Sequence, residues 1–219
     1  MDGSRWDDAD HNYGSQRSDP PRSGLRIGKL SAVTLRCEIA VRTAMKLVPA
    51  PIPCNEAERL SVLGSYEILD TKAEAVFDRL VEMAARLTDC PVALISLADS
   101  KRQWLKARPG LNLAEMPRDH AFCAHAMLCP TGPLVVEDAT RDPRFAGNLL
   151  VRGKPGLRFH AGMPLVGPDD RALGTLCVFD IKARSLDAAQ REALVSLASL
   201  AATVLELRRK VRHGRAMAA

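Results

Sequence analysis

The sequence predicts an α+β fold, an antiparallel sheet with helices gathered at its face, and three observations carry that expectation. Residues 157–166 and 172–180 are apolar runs separated by Gly167-Pro168-Asp169-Asp170, a turn of hairpin length, so the two runs pair antiparallel. The helical patterns come before the first strand and after the last, with one short helix between, instead of alternating with every strand. Polar start signals of the capping-box kind recur at Asn55/Glu58, Thr71/Glu74 and Asp187/Gln190.

The elements follow in order. Asn55 with Glu58 opens a short first helix whose apolar stripe is Leu60, Leu63 and Ile68. Thr71-Lys72-Ala73-Glu74 opens a second, in which Phe77, Leu80, Val81, Ala84 and Leu87 recur at threes and fours and face a core. Cys90-Pro91 stops it. Residues 92–97 form a compact apolar strand and residues 103–108 an alternating one, closed by Pro109-Gly110. Asp119 caps a short helix carrying Phe122, Cys123, His125, Ala126 and Met127. Residues 134–136 make a brief strand, and residues 138–156 read as irregular. After the hairpin, Asp187 caps a long helix that reaches about Arg212.

Composition narrows the function classes. The chain has 219 residues, 47% hydrophobic and 26% charged, the balance of a globular protein. Its longest uncharged apolar stretch, residues 193–205, has 13 residues, against about 20 for a bilayer span. The acidic N-terminus lacks the basic and apolar regions of a secretory signal. None of the six cysteines forms a C-x-x-C pair, so reduced thiols and a cytoplasmic location are expected. The net charge of +5 resides in the tail, where Arg208, Arg209, Lys210, Arg212 and Arg215 stand without an acid. Without interleaved aromatics, nucleic-acid binding is not expected.

Residues 1–53 read as a disordered basic and polar leader ending in the Pro-rich spacer Pro49-Ala50-Pro51-Ile52-Pro53. Two readings of residues 1–44 stand: an over-called reading frame whose true start is Met45, or an authentic tail. The regular pattern covers residues 54–206, and residues 207–219 are a basic helix end and tail.

The residues that carry a family resemblance are then Asn55-Glu56-Ala57-Glu58-Arg59-Leu60, Ile68-Leu69-Asp70-Thr71, Arg102-Gln103-Trp104, Pro117-Arg118-Asp119 and Phe122-Cys123-Ala124-His125-Ala126. Asp142-Pro143-Arg144-Phe145, Ala161-Gly162-Met163-Pro164-Leu165 and Leu173-Gly174-Thr175-Leu176-Cys177-Val178 continue the series. Over about residues 55–206 the chain resembles the GAF domains of bacterial signalling proteins, in the form that precedes histidine kinase or diguanylate cyclase modules. The resemblance implies a PAS-like antiparallel sheet flanked by helices, with long N- and C-terminal helices. It also implies a pocket for a small molecule, dimerisation through the terminal helices, and a histidine kinase or diguanylate cyclase as output partner, as in two-component systems. This sequence departs from the family pattern at His160, where a Tyr is usual, and at Leu149, where a Pro is frequent.

The expected ligand-binding residues are Phe122, His125, Phe145, Phe159, His160 and Thr175, with no cofactor identified. Cys123 and His125, two apart on a helix, point about 200° from each other and make poor partners for one ion. His120, His125 and Cys129 have no recognised ligand spacing, so no metal site is expected. Cys123 reads as a small buried thiol and Cys177 as strand packing. No P-loop, nucleophile elbow or carboxylate pair occurs, so no catalytic residue is expected. The long loop holding Asp138, Asp142 and Arg144 reads either as surface turns or as a lid. In the last helix Leu194, Leu197, Ala201, Val204 and Val211 form a candidate coiled-coil seam, beside a second stripe of Ala193, Leu200 and Leu207. The functional expectation is a stand-alone cytoplasmic sensor that binds a small ligand and signals through its terminal helices. A reductase of a small sulfoxide using Cys123, Cys129 or Cys177, and a ligand-free tethering module, are the alternatives.

Overall fold

The structure, a computed structural model, describes residues 46–167 and 170–217. The expectations for residues 1–45, including the Met45 start, and for Pro168-Asp169 in the turn lie outside the described residues. The elements are α1 (Glu56–Ser65), α2 (Ala75–Thr88), β1 (Val92–Ala98), β2 (Arg102–Ala107), β3 (Glu115–Pro117), α3 (Phe122–Ala126), β4 (Leu134–Val136), α4 (Leu149–Arg152), β5 (Phe159–Val166), β6 (Ala172–Asp180) and α5 (Ala188–Met217). The six strands form one antiparallel sheet in the order β3-β2-β1-β6-β5-β4. The predicted α+β class is therefore borne out. The β5–β6 hairpin closes where Gly167 N–H donates to Arg171 O at 2.8 Å.

Helices do not gather on one face only. Alternation along β5 and β6 sends Phe159, Ala161, Leu176 and Val178 to the face covered by α1, α2 and α5, where Phe77, Leu97, Leu194 and Ala201 complete the main core. The opposite face carries His160, Thr175, Cys177 and Phe179 and is covered by α3 and the loop that follows β4. Both faces are closed, so these strands are buried on both sides, and β1 is buried along its whole length.

Only one of the three capping boxes forms. Asp187 Oδ1 accepts from Gln190 N at 2.7 Å while Gln190 Oε1 accepts from Asp187 N at 3.1 Å. Asp187→Ala is expected to cost about 1 kcal/mol, read as a lowered midpoint of thermal unfolding. Asn55 does precede α1, but its side chain makes no cap bond. At α2 the cap position is Glu74 itself. Its carboxylate is drawn away by Lys106 at 2.7 Å and Arg208 at 2.9 Å, and Thr71 Oγ1 donates to Ile68 O. A charged partner outbids a neutral cap. Helix α2 ends one residue before Cys90-Pro91, at Asp89 in the left-handed region with φ 51°.

Asp119 lies in a 3₁₀ turn, Arg118–His120, and Ala121 occupies the α3 cap position. Strand β3 and helix α4 were not foreseen. The first is three residues at the sheet edge, and the second is one turn capped by Asn148, whose side chain accepts from Leu150 N. Strand β5 begins at Phe159, two residues later than expected, and α5 runs past Arg212 to Met217.

The stripes of α5 are also reassigned. Leu194, Leu197, Ala198, Ala201 and Leu205 are buried against the domain's own sheet and α2. Leu200, Leu207 and Val211 are exposed, and Val204, partly buried against the main core, lies at the margin of this outward stripe, which runs at spacings of four, three and four. Three of the tail's arginines are paired: Arg208 with Glu74, Arg209 with Glu206 and Arg212 with Glu67.

Candidate functional site

The site lies on the face covered by α3. Ala121 and the 3₁₀ turn before it bring α3 across β5 and β6, so Phe122 and Cys123 point down to the sheet and His125 points outward. A row of rings runs from the surface inward. His125 meets the edge of Phe145 at a centroid distance of 4.9 Å, Phe145 stacks on Phe122 at 4.0 Å, and Phe122 reaches His160 at 5.3 Å. His160 then meets Phe179 at 4.8 Å. Stacked and edge-on rings at these separations add attraction beyond the area they bury.

At the outer end a cleft of about 410 Å³ opens beside α3, lined among others by Val48, Pro51, His125, Leu134 and Arg144. The Pro-rich segment forms one wall, and the Val48 carbonyl accepts a hydrogen bond from His125 Nε2 at 3.0 Å. Burial pulls His125 below the usual imidazole range, the Arg144 cation adds to this, and the Val48 carbonyl opposes both. Arg144 lies over the Phe145 ring at 5.1 Å and pairs with Asp142 at 2.6 Å. The long loop thus contributes Asp142, Arg144 and Phe145 to the cleft side of the site.

At the inner end, polar side chains lie in the sheet. Thr175 and Ser96 hydroxyls are 3.1 Å apart, and Gln103 Nε2 donates to Ser96 at 2.7 Å. Cys123 Sγ is 3.4 Å from Cys177 Sγ and 3.9 Å from His160 Nε2, all three residues buried. Gly162 makes room for this arrangement. A Cβ there would meet His160 Cε1 at 2.7 Å, so its absence lets the ring lie along β5 toward Cys177, the cross-strand neighbour of Gly162. The hydrogen bond with Cys177, and beyond it His160, outweigh burial and hold the Cys123 thiol well below its usual range. Burial first, and then the Cys123 sulfur, push Cys177 well above that range.

Five of the six expected residues, Phe122, His125, Phe145, His160 and Thr175, therefore share this face. Phe159 does not. It precedes His160 in a strand, so it alternates to the other face and packs in the main core with Ala161 and Met163. Sequence reading took Cys177 for strand packing, or for one of three candidate cysteines of a reductase, and did not join it to His160. The signal was present in the alternation Thr175, Cys177, Phe179, which places the thiol on the same face as His160.

Comparison with known proteins bears on this geometry. The profile described as GAF domain matches residues 72–205. A cyclic di-GMP phosphodiesterase of Pseudomonas aeruginosa is 40% identical over 134 residues, 61% of this chain and 23% of that protein's length. Among solved structures, the GAF domain of an Acinetobacter phosphoenolpyruvate-protein phosphotransferase superposes with a TM-score of 0.52 at 20% identity, covering 73% of this chain and 97% of that one. A free methionine-R-sulfoxide reductase of Neisseria meningitidis gives 0.52 at 18% identity, with coverages of 76% and 99%. The blue-light absorbing form of the PixJ GAF domain of Thermosynechococcus elongatus gives 0.52 at 17%, with 76% and 96%. At these identities the structural likeness is one of fold alone.

Proposed function

This chain belongs to the GAF domain family, and from that premise we propose that it is a cytoplasmic sensor module that binds a small molecule beside α3 and reports it through α5. The carrying observation is the row of rings from His125 through Phe145 and Phe122 to His160, which joins an open cleft to the sheet face. A ligand with an apolar body and an acidic group suits the cleft, whose prolines and leucines accept the one and whose Arg144 accepts the other. Phe122, His125, Phe145, His160 and Thr175 are the residues that would respond to it.

A signal requires that the ligand bind two arrangements of the protein with different affinity. The outward stripe Leu200, Val204, Leu207 and Val211 supports a homodimer whose helix pairing is the element read out. Among the described residues no helix is long and apolar enough to cross a membrane. The 40% identical segment of a cyclic di-GMP phosphodiesterase supports cyclic dinucleotide turnover as the output, by a phosphodiesterase or a diguanylate cyclase. A histidine kinase is the other partner the family resemblance implies.

Native and denaturing mass spectra of the full chain, purified with a metal chelator present, test the ligand. An organic mass excess that disappears on denaturation is expected, together with a dimeric native mass. His125→Ala is expected to weaken binding of that compound about tenfold, the value of one hydrogen bond or ring contact. A bare native mass, with no rise in the unfolding midpoint across a panel of small organic acids and nucleotides, would replace sensing by ligand-free tethering.

A further inference from the structure

We propose that Cys123, His160 and Cys177 form a binding site for a thiophilic divalent cation, zinc(II), which fastens α3 to β5 and β6. The three residues come from separate stretches of the chain, yet one ligand atom from each lies within 4.8 Å of the others. All three stand on regular elements, so the donors are positioned before an ion arrives. Two sulfurs bound about 2.3 Å from a tetrahedral zinc stand about 3.8 Å apart. With a zinc–nitrogen bond of about 2.0–2.1 Å the sulfur-to-imidazole separation is about 3.5 Å. The observed 3.4 Å between the sulfurs and 3.9 Å from Cys123 Sγ to His160 Nε2 each lie within about 0.4 Å of the tetrahedral values.

A second observation points the same way. His160 is fully buried, its Nδ1 has no hydrogen-bond partner among the described residues, and its Nε2 faces only a sulfur at 3.9 Å. A buried imidazole so poorly satisfied loses the hydration it had in water and gains little in return. Coordination through Nε2 replaces that long sulfur contact with a metal–nitrogen bond, while Nδ1 keeps no partner among the described residues. Charge then selects the ion. Two thiols bind zinc by releasing two protons, and two thiolates, one neutral imidazole and Zn(II) sum to zero. Copper(I) in the same place would leave a net negative charge among Leu94, Leu105 and Phe122. The Thr175 hydroxyl adjoins both sulfurs.

This site lies at the opposite end of the ring row from the cleft, and it holds whether or not an organic ligand exists. The test uses the full chain, reduced, stripped with a chelator and titrated with zinc(II) or cobalt(II). One equivalent of zinc per chain is expected, and the cobalt form should show thiolate-to-cobalt charge-transfer absorption. Cys123→Ser and Cys177→Ser should each weaken zinc by more than about 100-fold, since losing a ligand exceeds the effect of losing its supporting partner. His160→Gln, which leaves both thiols in place, should weaken zinc while retaining the charge-transfer band, and guards against a cysteine variant that fails to fold. Cys54→Ser and Cys129→Ser, at exposed positions, should bind as the parent does. Absence of the thiolate band, unchanged affinity in Cys123→Ser and Cys177→Ser, or loss of binding in Cys54→Ser or Cys129→Ser would overturn the assignment. So would tighter retention of copper(I) than of zinc in competition, or recovery of a Cys123–Cys177 disulfide in place of the metal.

Discussion

Replacing Gly174 by alanine is expected to lower stability by about 4 kcal/mol or more, which for a marginally stable domain means little folded protein at physiological temperature. Gly174 lies in the middle of the sheet, paired with Leu97 on one side and Leu165 on the other. A Cβ there would stand 1.9 Å from the Ser96 carbonyl oxygen and 2.9 Å from Leu97 Cα. These are backbone atoms of a strand buried on both sides, so no side chain can swing away to relieve the overlap. The strands would have to separate, and the β1–β6 pairing that joins the two halves of the sheet would be lost. Gly64→Ala is the control. A Cβ on that helical residue meets nothing within 4 Å, so this substitution should leave stability unchanged or raise it. Chemical unfolding of both variants measures the contrast. Equal stabilities would show that the sheet tolerates the insertion.

Glu56→Gln is expected to cost about 3 kcal/mol at neutral pH, by stranding two buried cations. The carboxylate accepts from Arg59 Nε at 2.8 Å and Arg59 Nη2 at 2.7 Å, and it also pairs with Arg118. The side chains of Arg59 and Arg118 are 3% and 6% exposed, so water cannot replace the lost charge. Burial pushes the Glu56 carboxyl up, but the two guanidinium groups outweigh it and hold it down from 4.5 to about 2. A carboxyl lowered on folding adds stability that is fully present above its unfolded pKa. That stability is lost as pH falls from about 4.5 to about 2, when the folded protein must take up the proton. Unfolding free energies measured across this window should fall with pH in the parent. In Glu56→Gln the fall should be smaller, because the glutamine does not titrate. Parallel pH profiles would assign the acid sensitivity to other carboxylates.

The same triad shows how a family motif acts physically. Glu56 begins α1, and Arg118 follows β3 in the 3₁₀ turn that leads into α3. Arg118 Nη1 also reaches the Asp99 carbonyl at 3.3 Å, at the β1–β2 turn. One carboxylate therefore ties the first helix to the segment that leads into α3. Lys106 does comparable work on the other face. Its side chain is fully buried, bonded to Glu74, Thr71 and Lys72 O, and lies over the Phe77 and Trp104 rings. Burial pulls this lysine below the usual amine range, and the Glu74 carboxylate opposes that pull.

Hydrophobic periodicity by itself determined the elements whose partners lie nearby in the chain. Strand β6 was readable at both ends, and the buried face of α2 at Phe77, Leu80, Val81 and Ala84, because alternation and three-four spacing report which side of one element meets a core. The Asp187/Gln190 box was legible for the same reason, since both partners lie within one turn. What depended on distant residues was not legible. Glu74 left its predicted role at a helix start because Lys106 and Arg208, 32 and 134 positions away, compete for its carboxylate. Strand β3 has only three residues and gains its identity from pairing with β2. The inward stripe of α5 was separated from the outward one only when the sheet and α2 covered Leu194, Leu197 and Ala201.

The candidate site divides along the same line. The family resemblance placed Phe122, His125, Phe145, His160 and Thr175 in view, but not their relations. Phe159 and His160 are adjacent in sequence and on opposite faces of the sheet, a consequence of the pleat. Cys123 and Cys177 are 54 positions apart, and only the passage of α3 over β6 brings their sulfurs to 3.4 Å. Sequence patterns record the local surface an element must bury. The meeting of side chains from three elements is decided by how those surfaces pack.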